Sequence, residues 1–121
     1  MKEGSVPMSV IPAKIKTYTG NNYPGKRIVM LEKTADGYKV ALADKTTLDF
    51  DKDGNIKEVD CGSSAVPDAL VLKPIRDYVA KNFKGQKIVG LEVNRKDYEI
   101  QLSNGVDLKF DRSGKFLRID D

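Results

Sequence analysis

The sequence predicts an α+β protein. Two tandem copies of a helix plus a four-stranded antiparallel meander share one sheet of about eight strands, with the helices on one face. Three observations predict this. The chain repeats with a period of sixty: Gly4–Asp60 laid on Ser64–Asp120 matches at 17 of 57 positions with no insertion. In each copy, apolar and polar residues alternate with period two between turn-forming pairs, as half-buried strands do. Ahead of each alternating region, apolar residues recur once at helical spacing.

The repeat divides the chain into a first copy (1–60), a linker (61–65) and a second copy (66–121), which together make one compact domain. A unit of about sixty residues is marginal alone, whereas 121 residues bury roughly two-thirds of their unfolded surface. Hydrophobic residues at 40% and charged residues at 32% exclude a disordered or membrane-embedded class. A net charge of +3, with both signs interleaved, gives no basic stripe for nucleic acid. No apolar run reaches the roughly 18 residues of a membrane span. The opening Met-Lys-Glu-Gly-Ser lacks the apolar core of a signal peptide, which implies either a cytosolic protein or a mature form with its export signal removed.

Residues 1–5 read as a flexible lead-in and Pro7–Ile11 as a short turn. Ile11, Ile15 and Tyr18 then fall on one face of a helix from Pro12 to Asn21. Pro12 fits its first turn, and Gly20 with Asn21-Asn22 ends it. After the Pro24-Gly25 turn come strands at Lys26–Lys33, Tyr38–Ala43, Thr46–Asp51 and Asn55–Val59. They are separated by Asp36-Gly37, Asp44-Lys45 and Asp53-Gly54. The second copy repeats the order: a turn at Pro67–Leu72, a helix from Lys73 to Asn82, and strands at Gln86–Asn94, Asp97–Ser103, Val106–Asp111 and Lys115–Ile119. Tyr38, Val40, Leu42, Leu48 and Phe50 are expected to face the helix, as are Tyr98, Ile100, Leu102, Leu108 and Phe110 sixty residues later. The first strand of each copy is apolar on both sides (Ile28 to Leu31; Ile88, Val89, Leu91, Val93). Burial in the middle of the sheet explains this most simply; the alternative is an apolar patch for a partner.

The chain has no histidine, which removes Ser-His-Asp and Cys-His nucleophilic sites and the ordinary zinc sites. Cys61, the only cysteine, falls in the linker and is expected to be exposed. It forms no internal disulfide and leaves open pairing with another chain. Asp51-Lys52-Asp53-Gly54-Asn55 resembles the opening of a calcium loop, but its twelfth position is Gly62 rather than a bidentate Glu, and its flanks are strands. It and Asp111–Lys115 therefore read as hairpin turns. Glu32 and Glu92 read as solvated strand-end charges. No catalytic residue, metal site or cofactor is called for.

The outward face is the candidate site. Lys39, Ala41, Ala43, Thr47 and Asp49 face out in the first copy, and Glu99, Gln101, Ser103, Asp107 and Lys109 in the second. Such a face is either plain solvent surface or a docking face, for which about 800 Å² per partner suffices.

One family carries this pattern. Val6-Pro7, Ile15, Tyr18, Tyr23-Pro24-Gly25-Lys26, Ile28-Val29, Tyr38, Val40, Leu42, Leu48, Phe50, Asp51 and Gly54, most of them recurring sixty residues later, are similar to the PepSY-like, β-lactamase-inhibitor-protein-like periplasmic proteins. The second copy departs at Phe83-Lys84-Gly85-Gln86 and at Ile100. The resemblance implies a helix-plus-four-strand tandem repeat in the cell envelope. It also implies a non-enzymatic module that docks a protein on the open sheet face, since the family's namesake inhibits β-lactamases with its concave face and PepSY relatives restrain peptidases. The expected partner surface is Lys39, Ala41, Thr47, Asp49, Glu99, Gln101, Asp107 and Lys109, the partner being a protein of unidentified kind. The alternative is a carrier of a small molecule or peptide, held between helices and sheet.

Overall fold

A computed structural model describes residues 12–120. The lead-in, the Pro7–Ile11 turn and Val6-Pro7 lie outside the described residues. The strands follow in chain order in one eight-stranded sheet: β1 (Ile28–Lys33), β2 (Gly37–Leu42), β3 (Thr47–Asp51), β4 (Ile56–Asp60), β5 (Ile88–Val93), β6 (Asp97–Leu102), β7 (Asp107–Asp111) and β8 (Phe116–Ile119). The helices are α1 (Ala13–Asn22) and α2 (Lys73–Asn82), the second preceded by a 3₁₀ turn at Asp68–Leu70. The chain divides into two compact units between Val59 and Asp60.

In the first unit, α1 starts directly after Pro12, whose carbonyl accepts from the N–H groups of Ile15 and Lys16. Proline suits this boundary because its missing N–H would have no helical partner there. The helix runs through Gly20 to Asn22, and Asn22 Nδ2 donates to the carbonyl of Tyr18 near the helix end. Ile15 is fully buried with Val40, Leu48, Phe50 and Val59, and the ring of Tyr18 meets Phe50 edge-on with centroids 5.4 Å apart.

The second unit repeats this with a richer aromatic core. Tyr78 sits edge-on to Phe110 (5.5 Å) and stacked on Phe116 (4.5 Å), with Phe110 and Phe116 5.7 Å apart. In the first unit the place of Phe116 is held by Ile56. Gly114 (φ 96°) lies under Pro74, as Gly54 (φ 84°) lies under Lys14, so each β-turn tucks beneath the start of its helix. Lys14 also donates a hydrogen bond to the side chain of Asn55.

Two sequence expectations are corrected. Burial in mid-sheet does not explain the apolar β1. That strand stands first in the order, and a bulge between Ile28 and Met30 leaves Val29 at 54% and Met30 at 39% exposure. The extra residue breaks the two-residue alternation that a sequence pattern assumes. Nor is Cys61 exposed. The chain folds back after β4, Cys61 N–H donates to the carbonyl of Val89 and Val66 N–H to that of Ile88, and the cysteine side chain is buried. A small apolar thiol suits that position as an alanine would.

Candidate functional site

The outward face is built by register. In the first unit Lys39 stands opposite Glu32 on one side and Asp49 on the other, and Ala41 stands between Met30 and Thr47. In the second, Glu99 stands between Glu92 and Lys109, Lys109 is opposite Arg118, and Gln101 lies between Gly90 and Asp107. All eight residues expected to form a partner surface (Lys39, Ala41, Thr47, Asp49, Glu99, Gln101, Asp107, Lys109) are half-buried, while their core-side neighbours Val40, Leu48, Ile100 and Leu108 are fully buried. Ala43 and Ser103 are exposed at the strand ends. Ser103 is tied down by a hydrogen bond to Gln86 Oε1 (2.9 Å) and by accepting from Lys87 N–H (3.0 Å).

The two faces carry different chemistry on the same frame. Lys39 becomes Glu99, Ala41 becomes Gln101, Thr47 becomes Asp107 and Asp49 becomes Lys109, so none of these positions matches between copies. On the core side Tyr, Leu, Leu and Phe recur unchanged at 38, 42, 48 and 50. Even the cross-strand pair Met30/Ala41 is exchanged, large for small, into Gly90/Gln101. The Gln101 side chain covers Gly90, and a Cβ built there would lie 1.8 Å from its Oε1.

Charge in the first unit alternates in sign along the row Glu32, Lys39, Asp49, as cross-strand pairing favours. The second unit sets two carboxylates, Glu92 and Glu99, opposite each other. Lys109 does not offset this pair, because its ammonium lies 3.7 Å from Asp120 and 3.9 Å from Asp97. Glu99 is pushed up to about 7, first by a hydrogen bond with the Asp120 carboxyl, then by burial and by the charges of Glu92, Asp107 and Asp120. The same hydrogen bond holds Asp120 below the usual carboxylate range. Sequence reading set Glu92 aside as a solvated end charge and did not include Asp120, Arg118 or Met30. Counting strand pairs back from the Arg95-Lys96 hairpin would have placed Glu92 opposite Glu99.

The Asp51 and Asp111 turns spend their carboxylates locally. Asp51 Oδ1 accepts from the N–H groups of Asp53 and Asn55 (both 2.9 Å). Asp111 Oδ1 accepts from the Ser113 hydroxyl (2.6 Å) and from the N–H groups of Ser113 and Lys115. Both carboxyls are held low, Asp51 first by the Asn55 N–H and Asp111 first by the Ser113 hydroxyl. At the neighbouring hairpin the copies part again. Arg112 lies over the Tyr98 ring, 4.8 Å from its centre, and donates to the Asn94 carbonyl at 2.8 Å. The matching place by Tyr38 is a surface hollow lined by Lys33, Thr34, Ala35, Gly37 and Lys52.

No helix among the described residues is long and apolar enough to cross a membrane. The family model described as "Putative beta-lactamase-inhibitor-like, PepSY-like" matches residues 1–47 and again 36–118. Among solved structures, a "putative calcium-regulated periplasmic protein" from Bacteroides thetaiotaomicron is similar at a TM-score of 0.90 and 29% identity, over 97% of this chain and 95% of that one. A "putative periplasmic protein of unknown function" from Bacteroides vulgatus is similar at 0.90 and 31%, over 95% of each chain. A second periplasmic protein from Bacteroides vulgatus is similar at 0.88 and 33%, over 97% of this chain and 95% of that one. A search of functionally curated proteins finds no match.

Proposed function

Because the chain belongs to the PepSY-like, β-lactamase-inhibitor-like family, we propose that it is a non-enzymatic, periplasmic protein-binding module that restrains a hydrolase or peptidase by docking it on the open sheet face. The observation that carries this reading is the split between the two sides of the repeat. The core side keeps Tyr38, Leu42, Leu48 and Phe50 sixty residues later and varies Val40 only to Ile100, while the open side keeps Glu32 as Glu92 but changes the residue at 39, 41, 47 and 49. A plain solvated face needs polarity only. A face that meets one partner needs different groups at equivalent places in its two units, because the partner does not repeat every sixty residues. The half-burial of these residues adds to this, since preorganised side chains lose less entropy on docking. The carrier remains the second reading: a hollow opens between α1 and β1 (Lys16, Thr19, Gly20, Ile28) and another between α2 and β5 (Arg76, Val79, Ala80, Ile88), beside the buried Ile15 and Ile75.

The periplasmic location rests on the descriptions of the three similar structures. Calcium is named for one of them; our reading gives it no role at Asp51 or Asp111, whose Oδ1 atoms accept from the turns' own N–H groups. Clear heat of binding in calorimetry at millimolar calcium would reverse that judgement. The docking reading is tested by capture from a native envelope extract, using tagged protein beside a variant with charges reversed at Lys39, Asp49, Glu99 and Lys109. A hydrolase or peptidase retained by the first and lost by the second supports the reading. Equal retention by both removes the face assignment.

A further inference from the structure

We propose that the first unit carries a further binding site, a hollow at the β1–β2 hairpin that takes a glutamate side chain of a peptide, with its methylenes over the Tyr38 ring and its carboxylate between Lys33 and Lys52. Lys33 and Tyr38 stand opposite each other in register, and Tyr38 stands opposite the buried Phe50, so the hollow lies on the helix side of the sheet. It is separate from the open face and does not rest on the docking reading.

The difference between the two copies carries the inference. In the second unit Arg112 closes this place. Its guanidinium lies 4.8 Å from the centre of the Tyr98 ring and donates to the carbonyls of Asn94 (2.8 Å) and Arg95 (3.4 Å). The hairpin there also holds its own carboxylate: Asp97 accepts from Asn94 Nδ2 at 2.9 Å and lies 3.9 Å from Lys109 Nζ. In the first unit both groups are gone. Lys52 replaces Arg112, Gly37 replaces Asp97, and Lys33 adds a cation where the second copy has Val93. The place opens into a hollow lined by Lys33, Thr34, Ala35, Gly37, Tyr38 and Lys52.

The side chains of the lining offer two cations and no carboxylate. Among the described residues neither Lys33 nor Lys52 takes part in a salt bridge. The Thr34 hydroxyl accepts from Gly37 N–H at 3.0 Å, which leaves its own proton to donate. Asp51, opposite Gly37 in register, spends Oδ1 on the N–H groups of its own turn, and Asp36 at the hairpin tip does not line the hollow. Two ammoniums and a hydroxyl donor select an anionic group. The open ring narrows the choice, because the face of a tyrosine is electron-rich and disfavours an anion laid on it while accepting apolar stems. A glutamate meets both demands, with methylenes for the ring and a carboxylate for the lysines.

The test is an amide NMR titration of the whole protein at low salt with the blocked tripeptide Ala-Glu-Ala, its Ala-Gln-Ala counterpart and sodium acetate as probes. Ala-Glu-Ala is expected to shift the amides of Thr34, Gly37 and Tyr38 saturably, with a dissociation constant on the order of millimolar for so small a ligand. Ala-Gln-Ala should leave them in place, and acetate, which lacks the stem, should bind at least about threefold more weakly. Replacing both exposed lysines, Lys33→Gln with Lys52→Gln, should weaken the glutamate peptide about five- to tenfold. Lys52→Arg keeps the charge but copies Arg112, so it should cover the ring and weaken the peptide by a similar factor. Equal shifts with Ala-Gln-Ala, or shifts that persist in the double variant, overturn the proposal. Undiminished binding by Lys52→Arg, or acetate as strong as the peptide, overturns it too, since charge alone would then hold the ligand. None of these outcomes bears on the open face, which rests on the capture experiment.

Discussion

Exchanging the Gly90/Gln101 pair for its counterpart from the other copy tests whether these cross-strand positions are filled jointly. A Cβ on Gly90 would lie 1.8 Å from Gln101 Oε1, 2.9 Å from its Cδ and 3.2 Å from its Cβ. Gly90→Met alone therefore forces Gln101 off its place. Overpacking of this kind costs about 1–3 kcal/mol, and about 2 kcal/mol is expected here, because the far end of Gln101 can swing outward but its Cβ, 3.2 Å away, cannot. Removing glycine from a strand returns about 0.5–1 kcal/mol, for a net cost of roughly 1 kcal/mol. Gln101→Ala alone uncovers the bare Gly90 backbone and costs about 0.5–1 kcal/mol. The double variant copies Met30/Ala41, a pair already built on this frame. It is expected within about 0.5 kcal/mol of the wild type, which gives a favourable coupling of about 1–2 kcal/mol. Urea unfolding of all four proteins, compared at equal m-values, measures this. If the two single costs simply add in the double variant, to within about 0.5 kcal/mol, the reasoning is refuted.

Four further outcomes follow from the structure. Phe50→Ala and Phe110→Ala should each cost about 3–5 kcal/mol in thermal or urea unfolding. Phe110 should cost more by about 0.5–1.5 kcal/mol, because it meets both Tyr78 and Phe116 where Phe50 meets Tyr18. Lys45→Gly should raise stability by about 0.5–1 kcal/mol, since Lys45 sits at φ 74° where the second copy has Gly105 at 87°. Cys61 should resist a thiol reagent in the native protein and react promptly in urea; fast native labelling would contradict its burial. Glu99 binds its proton more tightly folded than unfolded, so its contribution is present below about pH 4.5 and lost as pH rises through about 7. That shift allows at most about 3 kcal/mol, which solvent screening at a half-exposed site reduces to about 1 kcal/mol. Glu99→Gln should abolish that decline in unfolding experiments between pH 5 and 8.

The fold was legible because its signals are local and occur twice. Asp-Gly and Asn-Gly turns, an uninterrupted two-residue alternation and proline at each helix start give the elements within a residue or two of their observed ends. The outward assignment of Lys39, Asp49, Glu99 and Lys109 followed from the same alternation, and their cross-strand partners are those the short hairpins impose. What was not legible came from irregularity and return. The bulge at Val29 shifts β1 by one residue against β2, so an all-apolar run that reads as buried opens to solvent. Cys61 is buried because the chain turns back along β5, a long-range pairing that Cys-Gly-Ser-Ser-Ala does not announce. The interaction of Glu99 with Asp120 joins β6 to the residue after β8, across β7, and no spacing rule reaches that far.

The bulges have a consequence for life at high concentration. Among the described residues the sheet ends on two outer strands; an outer strand invites another strand to continue it, and flat margins are where chains stack into fibres. Here β1 begins the strand order and β8 ends it, and each carries an extra residue: Val29 against β2, Leu117 against β7. The extra residue leaves an N–H and a carbonyl out of step with any straight ladder and twists the margin away from it. Both margins are apolar enough to attract, with Val29 and Leu117 at about half exposure, yet neither offers an even row of hydrogen bonds to copy. The irregularities that hid β1 from sequence reading thus also act as stops against templated growth.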